Sequence, residues 1–317
     1  MRRVWPAVFV SIALGGCSLV TDFDRLRGDG APNDAGPDVP TWDVDAAIDA
    51  PKDAPSEADA APCDRTKPFG VPVAVAGLSH DDRNEELARF SPDLLTAWVL
   101  VRTPGINGVT AAIVELTRTT TSAAFGGETD LGIAANALGT TGTSGHFGIS
   151  ADRLRLVHQT PLGKLVDCVR GSTSVSFGGC TTLAPDAATP FLSASGKRLT
   201  AVASLANGFL APATLDWFAN AWTAPVKIAE LDVYGSPTAL SHPALTTDEK
   251  TIVYDVGDQM WIARVQNGVF GPPEKLGGLS AQSSETHPSW ISDDECTLAL
   301  VSNRIGSMDV FLAVRPK

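Results

Sequence analysis

The chain has 317 residues, 44% of them hydrophobic, with 29 Gly and 22 Pro, which is ample length for a core and a turn-rich composition. A net charge of −12 argues against nucleic-acid binding, which needs clustered Lys and Arg to displace counterions. The acidity is uneven: residues 20–64 hold three basic and twelve acidic side chains, whereas residues 65–317 carry a net charge of −5.

Residues 1–17 read MRRVWPAVFVSIALGGC. Two arginines, an apolar run and small residues before a cysteine form a signal peptide, too short to remain as a spanning anchor. The ending Leu14-Gly15-Gly16-Cys17 resembles the bacterial lipobox. That resemblance implies diacylation of Cys17, membrane attachment through this lipid anchor alone, and, with Ser18 rather than Asp next, an outer-membrane address facing the periplasm or the cell surface. Several acyl chains hold stably where one would not. Residues 18–64 are expected to be a disordered tether. From Gly28 to Pro62 they are dominated by Asp, Ala and Pro, too few apolar groups to offset the entropy of folding. Their Asp spacing lacks the glycine turn and terminal Glu of a calcium loop.

Residues 65–317 repeat. Phe69, Trp222 and Phe270 are each followed by Pro three positions on and Leu nine positions on, with weaker versions at Phe125 and Phe177. Proline cannot donate to a ladder on one side, so this phrase predicts the outermost strand of a sheet. A second phrase opens at Ala88, Phe147, Pro190, Pro243 and Pro288: an apolar pair, a hydroxyl residue, a tight polar turn, then a β-branched or aromatic strand. The turn residues are read as Asp93, Asp152, Ser195, Asp248 and Asp293, separated by 59, 43, 53 and 45 residues. Such side chains bond the local backbone and are structural. The spacing suits four-stranded blades and predicts an all-β, five-bladed propeller, with six blades as the alternative.

The second phrase resembles the WD-type repeat of TolB-like β-propellers. Its last copy carries Pro288, Ser289, Trp290 and Asp293, then Ser302, Arg304, Gly306 and Asp309, but has Asp294-Glu295 where the family commonly has Gly-Lys. That resemblance implies a propeller fold over about 250 residues and, by analogy, a monomeric module binding an envelope protein.

The chain stops after the third strand of the fifth blade and begins with an orphan outer strand at Phe69–Ala76, which is expected to complete that blade as a clasp. Four cysteines remain beyond Cys17 in an oxidising compartment. Cys168 and Cys180 flank a hairpin turn; Cys63 precedes the clasp and Cys296 lies in the blade it completes. The expected pairs are therefore Cys63–Cys296 and Cys168–Cys180.

Aligned on the turn residues, His146, His242 and His287 share one slot, with Leu87 and Thr189 in the other copies. Three imidazoles converging at a channel mouth could bind a metal ion or an anion. Otherwise the expectation is no cofactor. The sequence has no Gly-x-Ser-x-Gly elbow, His-Glu-x-x-His or phosphate loop, and Ser79-His80-Asp81 is merely consecutive. Trp217, Phe218 and Trp222 cluster as blade core or, if exposed, as a partner surface. The function expected is a non-catalytic binding or scaffolding propeller on a lipid anchor, with a propeller hydrolase or lyase acting on envelope polysaccharide as the alternative.

Overall fold

The computed structural model describes residues 63–317 except 107, 139–145, 184–185, 206–209, 232–239, 258 and 280–283. The expectations for the leader, for Cys17 and for the tether up to residue 62 lie outside the described residues.

Five antiparallel sheets form five blades, as expected. Blade one runs from inner to outer strand as Asn84–Phe90, Thr96–Gly105, Gly108–Thr117 and Gly126–Asp130. Blade two comprises Phe147–Ile149, Arg155–Gln159, Leu165–Val169 and Gly178–Thr182. Blade three comprises Ala187–Leu192, Arg198–Ser204 and Leu210–Phe218, then Ala221–Trp222 with Val226–Lys227. Blade four comprises Leu240–Leu245, Thr251–Val256 and Gln259–Gln266, then Val269–Phe270 with Glu274–Leu276. In blades three and four the outer strand is split, because Pro225 and the Pro272-Pro273 pair cannot continue the ladder. The long gap before blade two holds a single helical turn, Ala135–Leu138, and no sixth blade among the described residues.

Blade five comprises Thr286–Ile291, Thr297–Ser302 and Asp309–Val314, and its fourth strand is the N-terminal Val73–Ala74. The clasp is longer than that strand. Asp64 N donates to Pro316 O at 3.0 Å, Gly70 N to Val314 O at 2.9 Å and Val75 N to Val310 O at 2.9 Å. Cys63–Cys296 and Cys168–Cys180 are both bonded.

Apolar packing follows the seams. Five clusters of buried side chains each join two neighbouring blades. Across the closing seam Phe90 meets Trp290 edge to face at 5.7 Å, so the first and last blades share one core.

The tight turn after each inner strand has one design. A hydroxyl residue donates to the acid two positions on, and that acid accepts the N–H two positions further: Ser91 and Asp93, Ser150 and Asp152, Thr246 and Asp248. Ser193 and Ser195 make the neutral version. In blade five the pair is Ser292 and Asp294, so Asp294, not Asp293, is the turn residue. Asp293 instead accepts Thr247 N at 2.6 Å, tying the turns of blades four and five together. The residue after each turn acid takes positive φ: Leu94 60°, Arg153 61°, Gly196 66°, Glu249 58° and Glu295 58°. The Asp-Glu departure thus keeps the turn, with Glu295 in the left-handed place that glycine fills most easily.

Counted from the corrected turns, the fourth residue upstream is Arg89, Gly148, Phe191, Ala244 and Trp290. Arg89 is fully buried on the axis. Its Nε donates to Phe147 O at 3.3 Å, Nη2 to Pro243 O at 3.4 Å and Pro190 O at 3.5 Å, and Nη1 to Ser289 O. These four carbonyls occupy the same position in the other four blades, so one guanidinium bonds to every blade but its own and plugs the channel.

Candidate functional site at the channel mouth

All five inner strands start on one face, so their first residues ring one mouth of the channel. His146, His242 and His287 meet there. The rings of His242 and His287 stack with centroids 3.9 Å apart and planes at 21°, and His146 lies 4.5 Å from His242.

The corrected turn explains this closeness. His146 and His242 occupy the sixth position before their turn acids, but His287 occupies the seventh, and Pro288 stands in the shared slot. The offset puts His287 one residue earlier on its strand, where it stacks on His242, while His146 reaches His242 from the same slot two blades away.

What holds the pair is Asp255, at the end of the second strand of blade four and 1% exposed. His287 Nδ1 lies 2.7 Å from Asp255 Oδ2, and His242 Nδ1 lies 3.1 and 3.2 Å from the two carboxylate oxygens. Ser241 Oγ donates to Oδ1 at 2.9 Å and fixes the carboxylate plane. Burial works against the Asp255 charge, but His242 and His287 outweigh it and hold the carboxyl well below its ordinary range. Burial pushes His242 and His146 down; for His146 the neighbouring His242 adds to the effect. Arg89 closes the channel beneath, its pKa pulled by burial down to about 9.

His242 sits in a β-bulge at φ 49°, which points its side chain into the mouth. Thr189 shares this conformation at φ 50°, held by its N–H on Gln159 Oε1 at 3.0 Å, so blades three and four have the same bulge and only blade four places an imidazole on it.

Sequence reasoning found the three histidines and missed Asp255 and Arg89. The available signal was a broken repeat: seven residues after each turn acid stand Leu100, Gln159, Val202, Asp255 and Val301. Of the aromatic trio, only Phe218 is exposed, at 76%. Trp217 and Trp222 are half-buried, meet edge to face at 5.5 Å and stack under Arg155, with Trp222 Nε1 donating to Asp167 at 2.9 Å. That is seam packing between blades two and three. On the far side of Arg89 the channel opens into an apolar pocket lined by Phe90, Ile149, Phe191, Leu245 and Trp290.

No family model and no curated protein match the chain. Solved structures do. An α-L-arabinofuranosidase from Podospora anserina in complex with cellotriose shares 13% identity, covering 78% of this chain and 97% of that one, with a TM-score of 0.42. A GH62 hydrolase in complex with xylotriose shares 11%, covering 78% and 97%, with a TM-score of 0.44. TolB from Acinetobacter baumannii shares 12%, covering 79% of this chain and 55% of that one, with a TM-score of 0.40. At these identities the likeness is one of fold. The expectation of a non-catalytic scaffold is corrected: the similar structures include two α-L-arabinofuranosidases and a GH62 hydrolase, and the alternative, a propeller hydrolase or lyase, is the reading taken up below.

Proposed function

We propose that the chain is a lipid-anchored envelope enzyme whose propeller cleaves a polysaccharide, as a hydrolase or a lyase, at the histidine-lined mouth of its channel. One observation carries the catalytic part: a buried carboxylate holds two partly exposed imidazoles, with side-chain exposures of 15% and 24%, at a mouth closed from beneath. Cleaving a glycosidic linkage requires polar groups aimed at the reacting atoms in a site that shuts out bulk water. Asp255 is the positioning residue; His242 and His287 are the residues placed to touch substrate. The polysaccharide class follows from the address proposed for Cys17, since an outer-membrane protein works among envelope glycans.

The test is incubation of the full chain with fractionated envelope polysaccharides, following new reducing ends and the ultraviolet absorbance of an unsaturated sugar. Reducing ends alone indicate hydrolysis, and absorbance with them indicates elimination. Asp255→Asn is expected to lose at least about a hundredfold in rate, the scale seen when a preorganised polar group is removed. No product from any fraction, or an Asp255→Asn variant as fast as the parent, overturns the proposal.

A further inference from the structure

We infer that His242, Asp255 and His287 form a binding site for a divalent first-row transition metal of the zinc class, with His146 outside the ligand set. The inference rests on the channel mouth being the working site and names the chemistry available there.

The first ground is the donor set. One ring nitrogen of each histidine and a carboxylate oxygen of Asp255 all lie within 4.8 Å of one another. Two imidazoles and one carboxylate suit zinc and its neighbours, whereas calcium and magnesium take all-oxygen shells. Bonds of about 2.0–2.2 Å from metal to nitrogen and oxygen require donors only a little farther apart than the 2.7–3.2 Å that separates these nitrogens from the carboxylate. Small ring rotations admit the ion. His146 lies 4.5 Å from His242 between ring centroids, its plane tilted by 60°, and is outside the group whose ligand atoms converge.

Charge is the second ground. Imidazole ligands bind neutral, so this set carries one net negative charge, which a divalent cation complements. The nearest permanent cation, Arg89, gives its hydrogen bonds to backbone carbonyls.

The third ground is the support around the ligands. Ser241 Oγ holds the carboxylate at 2.9 Å, the outer-shell contact that fixes a ligand's orientation. Three protein ligands with two partly exposed histidines leave a coordination position open to the mouth, as in a catalytic site and unlike a closed structural one. A metal there would polarise a substrate oxygen or lower the pKa of a bound water.

The experiment is isothermal titration of the full chain, purified without a histidine tag and stripped with chelator, using Zn²⁺, Mn²⁺ and Ca²⁺ as probes. Co²⁺ substitution then reads the ligand field. One zinc per chain is expected, with Ca²⁺ at least about a hundredfold weaker and a Co²⁺ visible spectrum of mixed nitrogen and oxygen ligation. Asp255→Asn and the more exposed His287→Gln should each weaken zinc at least about tenfold, while His146→Gln binds as the parent does. Circular dichroism of each metal-free variant establishes that it is folded, and His287→Gln carries the test if Asp255→Asn is not. Absence of zinc binding, unchanged binding in folded His287→Gln, or loss in His146→Gln equal to that in His287→Gln overturns the site. Zinc binding without polysaccharide cleavage keeps the site and overturns the enzyme; cleavage without zinc binding does the reverse.

Discussion

A guanidinium on the axis of a propeller is costly, since taking a cation out of water demands several kcal/mol of compensation. Among the described residues Arg89 has no carboxylate partner; its compensation is four inward-facing carbonyls and the face of Phe191, 4.6 Å from its centre. Removing the fork while keeping the bulk should therefore leave four carbonyls short of a donor. Arg89→Met is expected to lose about 2–4 kcal/mol of stability in chemical denaturation, and a variant as stable as the parent would show the carbonyls satisfied by water. Residues of this kind explain what was legible. The histidines could be read because two of them recur at one slot. Arg89 and Asp255 could not be, because each is the odd residue where sister blades carry Gly148, Phe191, Ala244 and Trp290, or Leu100, Gln159, Val202 and Val301. Periodicity finds what repeats, and this site is built from what does not.

Between elements, the blades and the clasp were legible because proline and hydroxyl–acid turns have strong local causes. The fault came in the last copy, where Asp293 and Asp294 are adjacent and composition does not choose between them. Hydroxyl spacing does, since Ser292 precedes Asp294 by the same two positions as Ser91 precedes Asp93. The closing seam has an electrostatic feature of its own. Glu85, at the start of the inner strand of blade one, is fully buried, and its N–H donates to Met308 O of blade five at 2.7 Å. Burial raises its pKa from 4.5 to about 7, with Asp309 adding to the rise and Arg83, which also pairs with Glu128, opposing it. Between those values the folded chain keeps a proton that the unfolded chain has released, so stability falls as pH climbs through the window. Glu85→Gln is expected to flatten the fall in melting temperature between about pH 4.5 and 7, a contribution on the order of 3 kcal/mol. An unchanged slope would place the titration elsewhere.

At the scale of the whole molecule, a propeller is a ring, and a ring is only as stable as its closure. Here closure is made by a two-residue strand, a few flanking hydrogen bonds, the Phe90–Trp290 contact and the Cys63–Cys296 bond. The two disulfides do different jobs, and their loop lengths set the difference. Cys63 and Cys296 are 233 residues apart, and Cys168 and Cys180 are 12 apart. Restricting the unfolded chain favours the longer loop, by roughly 5 kcal/mol against roughly 3 in the chain-entropy account. The long bond also anchors Arg65 and Lys67, whose carbonyls accept Arg315 Nη1, so its loss frees the lead-in to the clasp as well. Paired replacement of Cys63 and Cys296 by serine should thus lower the denaturant midpoint more than paired replacement of Cys168 and Cys180. It should also raise hydrogen exchange at Val75 and along Asp309–Val314 ahead of the other four blades. Equal losses, or exchange spread evenly over all five blades, would mean that the seam cores close the ring by themselves and that the clasp only decorates it.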